Sequence, residues 1–302
     1  RQVMQHPPAI LLVGPTASGK TALAFELAAH FPCEIVSVDS AQVFRDMNVG
    51  TAKPDAATLA RFPHRLIDLI SPEERYSAAQ FRADALREMQ DIAAAGRIPL
   101  LVGGTMLYVK ALREGLADLP QADAALRAGI DAEAAARGWP ALHAELAALD
   151  PETAARLKPG DAQRIQRALE VVRLSGRTLG SFFAEQQAAT PPFRILTLAL
   201  VPQDRGALHR RIERRFDAML NAGLVDEVRW RLQMGYDPEA TALQAIGSTE
   251  FAADLAGRAG PGRAIDAVKL GTRKYAKRQM TWFRKHDDIA WIDVCGISDP
   301  CD

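Results

Sequence analysis

The feature that most constrains this chain is a short glycine-containing segment that follows an apolar run near the start of the sequence. Residues 14–21 read Gly-Pro-Thr-Ala-Ser-Gly-Lys-Thr, directly after Ala-Ile-Leu-Leu-Val at 9–13. The spacing G-x-x-x-x-G-K-[ST] between a strand and a helix is typical of a phosphate-binding P-loop. The glycines let backbone N–H groups close around phosphate oxygens, and the following helix directs its positive N-terminal end to the same place. The pattern therefore predicts a site for a di- or triphosphate.

We expect the whole loop to surround the phosphates: Gly14, Pro15, Thr16, Ala17, Ser18, Gly19, Lys20 and Thr21. Lys20 supplies a positive charge, and Thr21 supplies a hydroxyl that can ligate Mg²⁺. The motif does not say whether the phosphate is transferred, hydrolysed or a leaving group. A glycine-rich turn that binds nothing is the alternative, and the agreement of the motif with its flanking strand and helix argues against it.

Apolar strands and amphipathic helices alternate over residues 1–119, which predicts a parallel sheet. Short β-rich runs at 34–38 and 98–102 follow the P-loop strand. Ser77 and Gln80 fit a capping box at the start of a helix between those two runs. The first part of the chain therefore predicts an α/β fold.

The pattern changes at residue 120. Residues 120–193 are rich in alanine and helical in pattern, with no convincing strand. We predict a P-loop NTPase-like α/β core formed by residues 1–119 and 194–302, interrupted by a helical insertion domain at 120–193. The remaining core elements are predicted as an extended segment at 64–70, a strand at 195–200, long helices at about 204–234 and 262–285, and a last strand at 289–292.

Three of the predicted strands end in polar or glycine-rich segments, and parallel strands bring their carboxyl ends to one edge of a sheet. One strand leads into the P-loop, one into Asp-Ser-Ala-Gln at 39–42, and one into Gly-Gly-Thr at 103–105. Asp39 can hold Mg²⁺ through water, act as a general base, or cap a turn. The Gln42 amide can contact a base edge or lie on the surface. Thr105 can contact a ligand, cap the next helix, or do both.

The basic residues are unevenly distributed, although the formal net charge of the chain is zero. Seven of them lie between 269 and 285 with no acidic residue among them: Lys269, Arg273, Lys274, Lys277, Arg278, Arg284 and Lys285. Such a segment is a candidate face for a polyanion, and a solvated helix face is the equal alternative. Arg211 and Arg215 lie four residues apart on one helix face. They reach the phosphate site or form an exposed stripe, and we assign Arg215 to the diphosphate.

The cysteines and the lengths of the apolar runs indicate in which cellular compartment the protein is expected. The 302 residues include three cysteines, Cys33, Cys295 and Cys301, which form neither a disulfide framework nor a zinc motif. This usage is typical of a reducing cytoplasm, and Cys33 is expected to be an apolar filler. No apolar run approaches the roughly 20 residues that span a bilayer, and no signal-peptide pattern is visible. We expect a cytoplasmic monomer without a membrane segment.

Six stretches together resemble the tRNA dimethylallyltransferases, also called tRNA isopentenyltransferases. In family order they are residues 14–21, Val-Asp-Ser-Ala-Gln-Val-Phe-Arg at 38–45, Gly-Thr-Ala-Lys-Pro at 50–54, Val-Gly-Gly-Thr-Met-Leu-Tyr at 102–108, Gln-Arg-Ile-Gln-Arg-Ala-Leu-Glu at 163–170 and Thr-Arg-Lys-Tyr-Ala-Lys-Arg-Gln-Met-Thr-Trp-Phe-Arg at 272–284. They extend over nearly the whole chain. A P-loop alone is generic, whereas this combination is specific.

The resemblance implies transfer of the dimethylallyl group from dimethylallyl diphosphate to the exocyclic N6 amine of the adenosine 3′ to a tRNA anticodon, with release of diphosphate. It implies Mg²⁺ as cofactor, Asp39 as general base, and Thr105 in contact with the substrate opposite Asp39. The expected partner is the anticodon stem-loop of tRNA. The residues expected to bind it are Asp39, Ser40, Ala41, Gln42, Thr105, Arg127, Gln163, Arg164, Ile165, Gln166, Arg167, Arg273 and Lys277.

Two positions depart from the family pattern. The family has Gln-Ala-Ile-Gly-Tyr followed by a basic residue where this chain has Gln-Ala-Ile-Gly-Ser-Thr at 244–249, and Phe44 stands in place of a frequent tyrosine. The first change removes an aromatic ring and a positive charge, which predicts weaker RNA affinity or a changed loop if those groups contact RNA. Neither change touches the P-loop, Asp39 or Thr105.

Three other functions fit a P-loop protein of this length. A small-molecule kinase would bind ATP and use Asp39 to activate an acceptor hydroxyl, but it has little use for the insertion or for the basic segment at 269–285. A regulatory nucleotide-binding module would leave the pair of Asp39 and Thr105 unexplained. A prenyltransferase acting on free adenine nucleotides would not need the insertion.

Overall fold

The computed structural model describes residues 6–186, 191–236, 246–258 and 260–293. The chain divides into two compact units, one formed by Arg1–Arg113 with Pro191–Asp302 and the other by Glu114–Thr190. We call them the α/β unit and the helical unit. The insertion predicted at 120–193 overlaps the helical unit, but residues 191–193 belong to the α/β unit and residues 114–119 to the helical unit.

The α/β unit contains one parallel sheet within the described residues. Its strands are β1 (Pro8–Val13), β2 (Cys33–Val38), β3 (His64–Arg65), β4 (Ile98–Gly103), β5 (Arg194–Val201) and β6 (Ala290–Asp293). Their order is β3-β2-β4-β1-β5-β6, and every neighbouring pair is parallel. Strand β1, which leads into the P-loop, therefore lies in the interior of the sheet. The predicted α/β class is confirmed.

Within the described residues, the helices outside the helical unit are α1 (Lys20–His30), α2 (Ala56–Arg61), α3 (Ala78–Ala94), α4 (Met106–Glu114), α10 (Arg205–Asn221), α11 (Leu224–Gln233), α12 (Ser248–Leu255) and α13 (Pro261–Phe283). The predicted capping box of Ser77 and Gln80 is present at the start of α3. Leu11 and Leu101 of the central strands pack with Phe81 and Phe283 in a fully buried core. No helix in the described parts of the chain has the length and apolar character to cross a membrane.

Three elements differ from the sequence-based prediction. The single helix predicted at about 204–234 is two helices, because Gly223 adopts a φ of 99° between α10 and α11. Only the first two residues of the extended segment predicted at 64–70 pair with the sheet, and Ile70 instead bridges Phe44. Helix α12 was not predicted at all.

The helical unit contains α5 (Ala124–Arg137), α6 (Trp139–Leu149), α7 (Pro151–Arg156), α8 (Ala162–Ser175) and α9 (Leu179–Glu185). Its core is apolar and fully buried, with Ile130, Leu142, Leu146 and Ile165 at its centre. Asp150 caps α7 through Thr153 N and also accepts a hydrogen bond from Leu179 N at 3.0 Å. One buried carboxylate thus joins two helix starts, which fixes the short α7 within the unit.

Candidate active site

The candidate site lies where β1, β2 and β4 end side by side, because β4 lies between the other two strands in the sheet. Two glycines make this close approach feasible. A Cβ on Gly103 would lie 2.0 Å from the Val38 carbonyl oxygen, and a Cβ on Gly104 would lie 3.0 Å from the Gly14 carbonyl oxygen. The segments that follow the three strands are therefore held close together, as the sequence predicted.

The P-loop leaves several of its backbone N–H groups without a partner. Thr16 N donates to the Gln279 side chain at 3.0 Å, and Ser18 N donates to the Pro15 carbonyl at 3.2 Å. The N–H groups of Ala17, Gly19, Lys20 and Thr21 donate no hydrogen bond within the described residues. Lys20 begins α1, so these groups lie at the positive end of a helix. The loop therefore offers a set of donors suited to a phosphate anion.

Two side chains of the loop add to this arrangement. Ser18 Oγ is buried and has no hydrogen-bond partner among the described residues. Lys20 Nζ donates to the carbonyl oxygens of Gly14 and Pro15, at 3.0 and 2.9 Å. Burial, together with the nearby positive charge of Arg215, lowers the pKa of Lys20 to about 7, against the opposing effect of Asp39. The ammonium group therefore lies in an environment that an anion would stabilise.

Helix α10 brings two arginines to the same place. Nη1 of Arg211 lies 3.7 Å from the position that a Cβ on Gly19 would take. Burial lowers the pKa of Arg215, and the negative charge of Asp39 opposes that effect. Arg215 also acts electrostatically on Lys20. Both arginines thus lie beside the P-loop instead of forming an exposed stripe.

Asp39 caps a turn with one oxygen and leaves the other open. Its Oδ1 accepts hydrogen bonds from Ala41 N at 2.7 Å and Gln42 N at 3.1 Å. No hydrogen bond to Oδ2 is found in the part of the chain that the structure describes. The turn fixes the carboxylate, and its second oxygen is available to a ligand. The capping role and a chemical role are therefore compatible.

Thr105 joins the segments that follow β2 and β4. Its Oγ1 accepts a hydrogen bond from Ser40 N at 3.0 Å and lies 3.4 Å from Ser40 Oγ. The backbone carbonyl of Thr105 accepts from Tyr108 N at the start of α4, but the side-chain hydroxyl bonds Ser40. Thr105 therefore holds the Asp39–Ser40 turn in place with its side chain.

The Gln42 amide is already used within the chain. Its Oε1 accepts from Ser37 Oγ at 3.2 Å, and its Nε2 donates to the Thr51 carbonyl at 3.1 Å. An amide has two N–H groups and two acceptor positions, so one of each remains. Gln42 therefore supports the loop that follows β2, with limited capacity left for a base.

Two residues of α13 that the sequence reasoning did not select complete this site. Gln279 is buried and donates from Nε2 to the Gly104 carbonyl at 2.8 Å. Burial and the charge of Asp39 raise the pKa of Tyr275, whose hydroxyl also interacts with the side chains of Thr105 and Gln279. The two residues lie four positions apart, and thus on one helix face. The sequence signal for these two residues is weak: they are uncharged polar residues within a segment that was selected for its basic residues.

In the helical unit, two of the expected RNA-binding arginines bind a buried carboxylate. Glu170 is fully buried and accepts from Arg127 Nε at 2.7 Å, from Asp123 N at 3.1 Å and from Arg167. Arg167 also donates to the Pro120 carbonyl at 2.7 Å. Burial by itself raises the pKa of Glu170. The hydrogen bonds from the two arginines and from Asp123 N, together with the charge of Arg127, lower it by more than burial raises it, so the net shift is downward. We call these groups the Glu170 cluster.

The other residues expected at the RNA differ in exposure. Gln163 and Arg164 are exposed, Arg164 pairs with Asp161 at 2.8 Å, and Gln166 donates to Asp131 at 2.6 Å. The side chain of Ile165 is fully buried in the helical core, so it supports α8 and does not face a ligand.

On α13 of the α/β unit, Arg273 pairs with Glu213 of α10, whereas Lys277 is exposed. Arg278 lies over the Tyr275 ring, with Cζ 5.6 Å from the ring centroid. On the expected basic face of this helix, Arg273 is therefore paired within the protein, whereas Lys277 and Arg278 are exposed.

The departures from the family pattern have local structural roles. Ser248 is buried at the start of α12, and its Oγ accepts from Arg231 Nη2 at 2.9 Å. Phe44 is buried beside Val43 and Met47. Cys33 is buried in the core, as predicted. The other residues named from sequence, Gln244, Ala245, Cys295 and Cys301, lie outside the described residues.

The oxygen ligands at this site suit a metal ion that also binds a diphosphate better than an ion held by protein side chains alone. The described residues contain no group of three His, Cys, Asp or Glu side chains that can hold a metal ion. Mg²⁺ commonly takes one or two protein oxygens and completes its shell with phosphate oxygens and water. The exposed Thr21 hydroxyl and the open Oδ2 of Asp39 are oxygens of this kind. The residues present thus fit Mg²⁺ bound together with a diphosphate.

Comparison with known protein families identifies the relatives of this chain. The IPP transferase family model matches residues 42–286, and an isopentenyl transferase model matches residues 7–69. A tRNA dimethylallyltransferase from Dechloromonas aromatica is 59% identical over 91% of this chain and 88% of its own length. One from Aromatoleum aromaticum is 58% identical over 94% and 89%.

Solved structures give the same result. The full-length tRNA isopentenylpyrophosphate transferase of Bacillus halodurans has a TM-score of 0.69 and 38% identity, over 95% of this chain and 89% of that one. A eukaryotic dimethylallyltransferase acting on tRNA has a TM-score of 0.81 and 27% identity, over 97% and 76%. With a family model that matches most of its residues and relatives above 50% identity along nearly its whole length, the chain belongs to the tRNA dimethylallyltransferase family of prenyltransferases.

Proposed function

We propose that this chain transfers the dimethylallyl group of dimethylallyl diphosphate to the N6 amine of the adenosine 3′ to a tRNA anticodon, with release of diphosphate. The observation that carries this proposal is the set of P-loop N–H groups without a partner among the described residues, together with the open carboxylate oxygen of Asp39, whose charge acts on Lys20 of the same loop. The donors suit a diphosphate leaving group, and the carboxylate suits a proton acceptor for an amine.

In the proposed reaction, the bond between the allylic carbon and the diphosphate oxygen breaks and a carbon–nitrogen bond to N6 forms. The N–H groups of Ala17, Gly19, Lys20 and Thr21, with the charges of Lys20 and Arg215, stabilise the negative charge that develops on the diphosphate. Asp39 Oδ2 accepts the proton that N6 loses. Thr105 holds the turn that carries Asp39, so that the carboxylate keeps its direction.

Mg²⁺ would be held by the Thr21 hydroxyl, and when bound it would neutralise charge on the diphosphate. Binding by Asp39 would compete with its role as base, so we assign the cation to Thr21 and the proton to Asp39. This assignment is consistent with the exposure of the Thr21 hydroxyl.

We assign the anticodon stem-loop to surfaces on both units. The helical unit supplies Gln163, Arg164 and Gln166, and its Arg127 and Arg167 present guanidinium edges that remain partly exposed. The α/β unit supplies Lys277. An anticodon loop is single-stranded, so its bases can be unstacked and read individually. We expect the enzyme to act as a monomer in the cytoplasm.

The test is incubation with labelled dimethylallyl diphosphate, Mg²⁺ and tRNA that lacks the modification, followed by measurement of label in RNA. We expect label in tRNA, and none after replacement of tRNA by free AMP. An equal rate with AMP would contradict the tRNA assignment. ATP binding comparable to that of dimethylallyl diphosphate, with no label in RNA, would favour a kinase.

A further inference from the structure

Gln279 is a buried polar side chain that the mechanism above does not use. It lies on α13, is 2% exposed, and interacts with the Tyr275 hydroxyl as well as with two loops of the site. Oε1 accepts from Thr16 N of the P-loop at 3.0 Å, and Nε2 donates to the Gly104 carbonyl at 2.8 Å. A single side chain therefore joins the loop after β1 to the segment after β4.

Each of these loops carries one half of the proposed chemistry. The P-loop carries the donors for the diphosphate, and Gly104 directly precedes Thr105, which holds the Asp39–Ser40 turn. The bond from Gln279 also removes Thr16 N from the donors available to a phosphate, so it selects which N–H groups remain. The amide thus lies between the leaving-group side and the acceptor side of the site.

The local packing shows that this contact is tight. A Cβ on Gly104 would lie 2.3 Å from Gln279 Nε2 and 3.0 Å from the Gly14 carbonyl oxygen. The bridge needs a donor at one end and an acceptor at the other. Glutamine carries a donor and an acceptor on one planar amide. Methionine, of similar length, has neither an N–H donor nor a carbonyl acceptor, and ionised glutamate has acceptors only.

We propose that Gln279 is a positioning residue that fixes the P-loop against the Gly104–Thr105 segment and thereby aligns the allylic carbon with the acceptor amine. The proposal rests on the proposed function. Its consequence is a loss of turnover larger than the loss of tRNA affinity when the bridge is broken, because small misplacement of reacting groups costs on the order of 10²-fold in rate.

The experiment compares the full-length parent with Gln279→Met, which removes both hydrogen bonds, and Gln279→Glu, which keeps the acceptor for Thr16 N. Thr281→Ala is the control, because Thr281 is exposed on the same helix and bonds only the Lys277 carbonyl of its own helix. Thermal unfolding measures folding. Single-turnover transfer, the KM for dimethylallyl diphosphate, tRNA affinity and the affinity for inorganic diphosphate with Mg²⁺ measure function.

For Gln279→Met we expect single-turnover transfer lowered about 100-fold and diphosphate affinity lowered about tenfold, with tRNA affinity within twofold of the parent. Thr281→Ala should match the parent in all measurements. Transfer and diphosphate affinity both within threefold of the parent in a folded Gln279→Met variant would overturn the proposal.

The Gln279→Glu variant adds a readout that a merely structural role would not move. Burial raises the pKa of a carboxyl at this position, and its protonated form again offers a donor to the Gly104 carbonyl. We expect the transfer rate of this variant, divided by that of the parent, to rise as the pH is lowered from about 8.5 to about 6. A ratio that is constant over this range would contradict the bridging role.

The two proposals fail separately. A parent that places no label in tRNA would contradict the proposed function, and the diphosphate affinities would still test the bridge. A parent that labels tRNA, with Gln279→Met equally active and equally tight for diphosphate, would contradict the bridge alone.

Discussion

The P-loop and the Glu170 cluster differ in whether their polar groups have hydrogen-bond partners within the protein. In the P-loop, four successive or near-successive N–H groups and the Ser18 hydroxyl have no partner among the described residues. In the Glu170 cluster, one buried carboxylate accepts hydrogen bonds from two arginines and a backbone N–H. Buried polar groups in proteins are normally paired, so unpaired donors indicate a ligand site, whereas paired charges indicate a structural role. The difference teaches which polar groups still need a partner and which already have one within the fold.

The largest expected effect concerns Asp39 in the unpaired region. Asp39→Ala should lower kcat roughly 10²–10⁴-fold, the range for loss of a general base, with tRNA affinity little changed. Asp55→Ala is the matched control, because the Asp55 carboxylate caps α2 through Thr58 N and has only a turn-capping role. The measurement is steady-state transfer to tRNA for both variants. If both lose the same small amount of activity, Asp39 is a cap and not a base.

The Glu170 cluster should respond in stability more than in chemistry. Glu170→Gln leaves two arginines without their buried partner, and we expect a loss of about 3 kcal/mol in the free energy of unfolding. Glu185→Gln is the control, because Glu185 pairs with Arg177 at 2.8 Å but is largely exposed, so the expected loss is below about 1 kcal/mol. Denaturant unfolding of both variants measures this, and equal losses would remove the contrast between buried and exposed pairs.

The same cluster predicts a dependence on pH. The pKa of Glu170 is lower in the folded protein than in the unfolded chain. Its contribution to stability is therefore fully present above the unfolded value of 4.5 and is lost as the pH falls through the folded value. The difference in unfolding free energy between the parent and Glu170→Gln should shrink below pH 4.5. A difference that grows in acid would mean that the pKa of Glu170 is raised in the folded protein instead of lowered.

Lys20 should separate the two substrates. Lys20→Ala should weaken binding of dimethylallyl diphosphate by about ten- to a hundredfold, the size of one lost charge-assisted hydrogen bond, and leave tRNA binding nearly unchanged. Lys110→Ala, an exposed lysine on α4, should change neither. Calorimetry with inorganic diphosphate and filter binding with tRNA are the measurements. An equal loss for tRNA would contradict this division between substrates.

The smallest effects concern RNA phosphates. Lys277→Ala should reduce the slope of log tRNA affinity against log salt by somewhat less than one unit, because one counterion-releasing contact is lost. Arg273→Ala should reduce it less, since Arg273 is paired with Glu213. Arg164→Ala should also change the choice among tRNAs, because Arg164 is exposed and lies outside the Glu170 cluster. Unchanged slopes in all of these variants would make the charges a solvated surface.

The elements around the site were predictable because their signals are local. The P-loop spacing, the strand before it, and the strand ends at Val38 and Gly103 are patterns within a few residues, and a parallel sheet brings such strand ends to one edge. The order of the strands came from the structure alone. The break at Gly223 was missed because a single glycine within a helical pattern does not by itself end a helix.

The contacts that hold the site together were not predictable. Gln279 bonds Thr16 across 263 positions of sequence, and Glu170 bonds Arg127 across 43. Nothing in the spacing of these residues indicates such a pair, since only tertiary packing brings them into contact. The family resemblance placed Ile165 among the RNA-binding residues because it assigned a whole stretch, and it could not show that this side chain fills the helical core.

The position of Lys20 has a consequence for which ligands the loop accepts. Its ammonium is held by two carbonyl oxygens of its own loop, so any incoming molecule has to compete with those oxygens for the same hydrogens. The oxygen of a neutral alcohol is no better a hydrogen-bond acceptor for the ammonium than these carbonyl oxygens, so an alcohol gains little binding free energy by replacing them. A dianion or trianion gains the full charge attraction. The alcohol formed by hydrolysis of an allylic diphosphate would therefore be a poor inhibitor, and inorganic diphosphate a good one.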